Sequence, residues 1–401
     1  MKAGYRKTEM GEVPNDWLSL SVGDLIKNKI IEKPLDGNHG NIHPKSEDFV
    51  QYGIPFVMAN NVRNGNVNLQ NCSFIRKEQA DTLQKGFSVT GDVLLTHKAT
   101  IGNTAIVGDI PFDYIMLTPQ VTYYRVVDDS RLNNIFLRHY FDSAAFQAVL
   151  KSLAEGGTRS YIGIQAQHKL PVLLPKMAEQ VAIATTLSGV DTLLDSLDRL
   201  ITKKRNLKQA AMQQLLTGKT RLPGYSGAWD IKALGQIVQI QKGQLITADT
   251  LKFGDVPVVA GGKKPAYFHK FANRFGRTIT ISASGASAGY VALYEKPIFA
   301  SDCSTISEAP EYSLDFIYFQ LLLNQNKIYK AQTGGAQPHI HAKDLNPIEI
   351  PIPGTEEQAA IAKIVSEMDS EIKNIEARRE KTVLLKQGMM QELLTGKTRL
   401  I

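Results

Sequence analysis

Four groups of residues in this 401-residue chain have types and spacing that could support chemistry. Gly218-Lys219-Thr220 and Gly396-Lys397-Thr398 have the end of a phosphate-binding loop. That loop also needs a glycine five residues earlier, where Gln213 and Gln391 stand, and it must open a helix rather than close one. Gly285-Ala286-Ser287-Ala288-Gly289 fits a nucleophile elbow, with Asp302 and His339 following in order. The elbow demands a helix directly after the serine, whereas Tyr290-Val291-Ala292-Leu293-Tyr294 reads as a strand, so a small-residue hairpin is expected. His39 with His43, and His339 with His341, are close pairs lacking a third ligand at a metal-site spacing. Glu371-Ile372-Lys373 has a nuclease-like carboxylate–lysine spacing but falls inside a long helical pattern. No glycine-rich adenosylmethionine loop follows a strand, and no Asn-Pro-Pro-aromatic tetrapeptide occurs. The expectation is a non-catalytic chain with no cofactor and no metal.

Binding residues are easier to find. The net charge is +7 and the pI about 9.1, with no strongly basic segment. One interval stands out: no acid lies between Asp255 and Glu295, and Lys263, Lys264, Lys270, Arg274 and Arg277 all do. Such a stretch reads either as a solvated loop with scattered lysines or as a surface for a polyanion. Lysines position a protein on phosphates, whereas arginine, glutamine and asparagine can read base edges through two-point hydrogen bonds. Lys263 and Lys264 are therefore expected to contact phosphate, with Arg274, Arg277, Gln337 and His339 as further DNA-binding candidates. Earlier in the chain Arg63, Asn64, Lys98 and Arg159 qualify by loop position alone.

These residues need elements to hold them, and the chain states its elements twice. Leu215-Leu216-Thr217-Gly218-Lys219-Thr220-Arg221-Leu222 returns as residues 393–400, at an offset of 178. The offset holds upstream: Glu179-Gln180, Asp191, Pro175 and Gly156-Gly157 map onto Glu357-Gln358, Asp369, Pro353 and Gly334-Gly335. Two long repeats suggest a pseudo-two-fold molecule rather than a solenoid. Trp17 and Trp229, the only tryptophans, open the two halves at an offset of 212, so the middles differ in length. Before each final repeat runs a heptad seam. It comprises Ile183, Leu187, Val190, Leu194, Leu197 and Ile201 in the first half, and Ile361, Val365, Met368, Ile372 and Ile375 in the second. After a polar slip near Lys204 and Arg379 it continues through Leu207, Ala211, Leu215 and through Leu385, Met389, Leu393. Each helix is about 38 residues, roughly 57 Å, with Gly218 or Gly396 as a left-handed cap. Each must bury its stripe, most simply by antiparallel packing on the other.

The intervening modules, about 12–170 and 225–350, show short periodicities and turn signals. Strands are expected at Asp92–Thr96, Val121–Val126, Ile279–Ser282 and Tyr290–Tyr294, and one helical stretch at Leu132–Leu153 and at Ser313–Lys330. The fold class is thus α+β: two mixed α/β domains alternating with two long helices packed as an antiparallel coiled coil. Hydrophobic content is 43% and no 18-residue apolar run occurs, so no membrane span is expected. The N-terminal sequence lacks the apolar core of a signal peptide. Cys72 and Cys303 are isolated, as in a reducing cytoplasm.

Two modules alternating with two repeated helices, without an active site, resemble one family. Gly11-Glu12-Val13-Pro14-Asn15-Asp16-Trp17, the Pro-x-x-x-Glu-Gln segments at Pro175 and Pro353, and the repeated Leu-Leu-Thr-Gly-Lys-Thr-Arg-Leu are similar to the specificity subunit of a type I restriction-modification system. The resemblance spans essentially the whole chain. It implies two target recognition domains, each reading half of a bipartite site in double-stranded DNA. It also implies helices that set the gap, two docked methyltransferase subunits, and two motor–nuclease subunits that can join. The expected divisions are 1–174 and 223–352 for the recognition domains, and 175–222 and 353–401 for the helical spacers. The alternatives are a non-DNA coiled-coil scaffold and a hydrolase using Ser287.

Overall fold

The computed structural model describes residues 3–154, 161–335 and 337–400. They form two compact units. Unit 1 comprises Met1–Ser196 with Arg379–Ile401, and unit 2 comprises Leu197–Arg378. Both long helices span 39 residues, Met177–Leu215 and Thr355–Leu393. Neither contains proline, and each ends at a glycine in the left-handed region, Gly218 and Gly396, both with φ +69°. No helix among the described residues is long and apolar enough to cross a membrane.

The repeated motifs meet in space within each unit. In unit 1, Trp17 is fully buried and its Nε1 donates to Glu179 at 3.0 Å. Arg399 clamps the same carboxylate at 2.6 and 2.8 Å, and also bonds Asp16. A Cβ on Gly396 would fall 2.5 Å from the Pro14 ring and 3.1 Å from Trp17, so only glycine fits. Unit 2 builds the same joint from its own copies. Trp229 Nε1 donates to Glu357 at 3.2 Å, and Arg221 bonds Glu357 twice at 2.7 Å. Gly218 lies against the Trp229 ring. The glutamines act alike too. Gln180 accepts from Asn133 N and donates to Pro175 O, while Gln358 accepts from Ser313 N and donates to Pro353 O. Gly-Lys-Thr is thus a helix stop packed on tryptophan, which accounts for the motif without a bound phosphate.

The heptad reading needs one correction. Ile183, Leu187, Leu197 and Ile201 are buried as expected, as are Ile361, Val365 and Ile372. Leu207 and Leu385 instead point outward, 47% and 59% exposed. A straight helix drifts about 20° per heptad from a strict seven-residue repeat, and over three heptads this brings the next residue onto the seam. Those residues are Lys208 and Lys386, equivalents in the repeat. Lys208 Nζ meets Asp369 at 2.5 Å in unit 2, and Lys386 Nζ meets Asp191 at 2.5 Å in unit 1. Within unit 2, Lys204, Lys208 and Arg221 pair with Glu371, Asp369 and Glu357, so the two helical segments there run in opposite directions.

Above the joints lie mixed sheets. In unit 1, strand β1 (Val93–Thr96) sits between β2 (Val121–Tyr124) and Thr104–Ile106 in a six-stranded sheet, and a second sheet has five strands. In unit 2, β3 (Thr278–Ser282) lies between β4 (Cys303–Ser307) and Val291–Tyr294. Each expected single helical stretch is two helices: Asn134–Asp142 then Ala144–Ala154, and Leu314–Leu323 then Gln325–Lys330. Ser143 breaks the first with extended backbone. The main core of each unit joins its joint tryptophan to these helices and to its central strand.

Candidate nucleic-acid interface

The ends of β1 and β3 carry the same backbone arrangement. After β1, His97 N donates to Gln120 O at 3.0 Å, and Ile162 N donates to His97 O at 3.0 Å. After β3, Ala283 N donates to Asp302 O at 3.1 Å, and Ile340 N donates to Ala283 O at 2.9 Å. Lys98 bridges Tyr161 as Ser284 bridges His339. Each loop closes on a glycine with positive φ, Gly102 (+93°) and Gly289 (+79°). Gln147 Nε2 donates to Gly102 O at 2.9 Å, and Gln325 Nε2 donates to Gly289 O at 2.8 Å. Lys98 and Ser284, Gln120 and Asp302, and Tyr161 and His339 therefore occupy equivalent positions.

In unit 2 three turns converge at this strand end. A Cβ on Gly261 would lie 2.8 Å from Ser284 O and 3.2 Å from Asp302 Oδ2, so the turn needs glycine to approach this closely. Ser282 Oγ donates to Gly262 O, and Gly285 N donates to Pro338 O at 3.0 Å. The turns that carry Lys263, Lys264, Gln337 and His339 thereby meet the strand end at Ser284. Lys263 Nζ lies 5.6 Å from the Tyr290 ring centroid. Lys264 and Gln337 are exposed. Asp302 accepts from Ser284 Oγ. Ser287 instead ends a short 3-10 turn before the strand Val291–Tyr294, as a hairpin requires.

The arginines of the acid-free interval are committed elsewhere. Arg277 bonds Asp315 at 2.6 and 3.0 Å and Glu295 at 2.7 and 3.2 Å, which raises its already high pKa, the Asp315 bonds contributing most. Arg274 donates to Thr305 Oγ1 at 2.9 Å and to the carbonyls of Asn273 and Lys242. Both guanidiniums brace the sheet rather than joining the loop cluster.

In unit 1 the equivalent strand end borders a cavity of about 290 Å³, lined by His39, His43, Lys98 and Gln120 among others. Lys98 is exposed, its Nζ 5.9 Å from the Tyr161 ring centroid. Nearby, Asp36 is 2% exposed and is held by His39 at 2.7 Å and by Lys85. His97 is fully buried, which lowers its pKa against the opposing pull of Asp36; its Nδ1 faces Ile162 O at 2.9 Å, and its Nε2 has no hydrogen-bond partner among the described residues and lies 4.0 Å from Asp36 Oδ2. This fits a neutral ring with the proton on Nδ1. Arg63 and Asn64 form a separate turn over the Arg138 guanidinium, tied down by Asn103 Nδ2 donating to Val62 O at 3.0 Å. Arg159 and Gly156-Gly157 lie outside the described residues.

No group of three or more His, Cys, Asp or Glu among the described residues could hold a metal ion. The His339 and His341 rings stack at 6.3 Å. Burial pushes the Cys72 and Cys303 thiols up to about 12, far from a reactive thiolate. Sequence reasoning missed Gln120, Tyr161 and Ser284. It also missed a limb of exposed aromatics that includes Phe253, Phe268, Phe271 and Phe275, with Lys252 and Lys270 over Phe271. Tyr161 was findable, since it stands at the repeat offset from His339.

Comparisons with known proteins agree with this architecture. Residues 14–206 and 227–384 match the family described as type I restriction modification DNA specificity domain. A protein of Methanocaldococcus jannaschii assigned as the specificity subunit of type I restriction enzyme MjaX is 24% identical, the alignment covering 98% of this chain and 96% of that one. The MjaVIII specificity subunit of the same organism is 21% identical over 96% and 94%. The crystal structure of a type I restriction-modification S subunit from M. genitalium superposes with a TM-score of 0.64 at 18% identity, covering 94% of this chain and 96% of that one. The chain belongs to the type I restriction-modification specificity subunits, the components that recognise DNA sequence.

Proposed function

We propose that each module reads one half of a bipartite site in double-stranded DNA, and that the chain performs no chemistry itself. One observation carries this: the same joint and the same strand-end arrangement are built twice, yet the loops they present differ in length and chemistry. One scaffold with two unlike reading surfaces suits two unlike half-sites. The recognition domains are 1–174 and 223–352, and the spacers 175–222 and 353–401. The spacers pack as an antiparallel coiled coil with pseudo-two-fold symmetry, setting the gap and docking two methyltransferase subunits, with two motor–nuclease subunits joining in the restriction complex. Opposed ion pairs at matching seam positions support that packing. The setting is the cytoplasm, where such DNA lies.

The test is a binding titration of the assembled methyltransferase on duplexes with intact and scrambled sites at several salt concentrations. Binding should depend on sequence and fall steeply with salt. A coiled-coil scaffold without DNA contact would show neither dependence.

A further inference from the structure

The same backbone and side-chain bonds recur at the ends of β1 and β3, and three positions on that common arrangement differ in chemistry. Unit 1 presents Lys98, Gln120 and Tyr161; unit 2 presents Ser284, Asp302 and His339. Asp302 is the odd member. It stands beside the Lys263-Lys264 turn, whose charge suits phosphate, and among the described residues it forms no ion pair. A carboxylate held toward a polyanion is repelled unless it meets a hydrogen-bond donor there. In the major groove the available donors are the exocyclic amines of cytosine and adenine, and carboxylates accept from the cytosine amine. Ser284 holds the carboxylate in place, so its orientation does not depend on DNA. Unit 1 offers the opposite polarity on the same arrangement, one position over: Gln120 stands where Asp302 does, and the cation Lys98 stands where Ser284 does. The exposed Lys98 can donate to guanine O6 and N7. Gln120 lines the same cavity, and its Oε1 accepts a long bond from Ala59 N at 3.3 Å.

Resting on the DNA-reading function above, we infer that these equivalent positions determine specificity: Asp302, braced by Ser284, selects an amine-bearing base in one half-site, and Lys98, flanked by Gln120, selects guanine in the other. The positions are shared because the backbone that aims them is shared. The half-sites differ because the side chains there do.

The test uses the complete methyltransferase complex and a duplex carrying the host's methylated motif, beside duplexes with one half scrambled. Asp302→Asn keeps the size and the bond to Ser284 but loses the anionic acceptor. It should weaken cognate binding about 5- to 150-fold, the range of one base contact. The loss should vanish when one of the two half-sites is scrambled and persist when the other is. Binding to unrelated duplex should tighten, because a negative charge is gone, a change that a merely structural role would not produce. Lys98→Gln, on an exposed side chain, should act only on the half-site that Asp302→Asn leaves unaffected, and loosen unrelated duplex. Equal changes on cognate and scrambled DNA, or effects of both variants on the same half, would overturn the assignment. If the unmodified complex itself failed to discriminate, the DNA-reading proposal would fall instead.

Discussion

Lys263 and Lys264 are the cations of the acid-free interval that the structure leaves at the loop cluster, whereas Arg274 and Arg277 are engaged in bracing the sheet. Their substitutions should therefore separate. Replacing both lysines by alanine should weaken binding to every duplex and lower the slope of log affinity against log salt by about 2, one for each phosphate no longer neutralised. Arg277→Ala should leave half-site preference intact and lower thermal stability, since Asp315 and Glu295 would face each other without their cation. A parallel salt titration and melting curve decide between these outcomes. The charge pattern disclosed the interval but not this division, because Asp315 lies 38 residues beyond Arg277. Tyr161 was missed although the repeat marks it, and Lys98 was legible only as a loop residue. The repeat offset of 178 survives between Tyr161 and His339, but it has grown to 182 between Gln120 and Asp302 and 186 between Lys98 and Ser284. Loop insertions erase the register that would have revealed the equivalence.

The long helices were the most legible elements, because their caps, their proline-free length and their seam all agree. What the pattern concealed was the turn of the helix past its third heptad, where Lys208 and Lys386 replace leucine on the seam. Ion pairs inside an apolar seam fix its register and direction more than they add stability. The joint was visible only in parts. Tryptophan, glutamate and arginine recur at fixed places, yet Arg399 reaches a glutamate 220 residues earlier, a pairing no local pattern reports. If the helices act as a ruler, inserting one heptad after Leu197 and one after Ile375 lengthens the spacer by about 10 Å. The recognised gap should then widen while both half-site sequences persist, as read from the methylated motif. Altered half-site sequences would dissociate the helices from spacing.

At the scale of the whole molecule, the chain builds the same joint and the same strand-end arrangement twice, once in each unit. The family match covers residues in both halves, and the unlike loops fall between the repeated motifs. Each unit has its own main core and its own complete joint, so a change in one reading surface need not disturb the other. That independence is the central claim, and a methylome tests it most directly. Residues 225–350 would be replaced by the same module of a relative, and the host's methylated motif read before and after. Independent modules predict a bipartite motif in which one half changes and the other half is retained. A motif altered in both halves by a folded, active complex would contradict that independence.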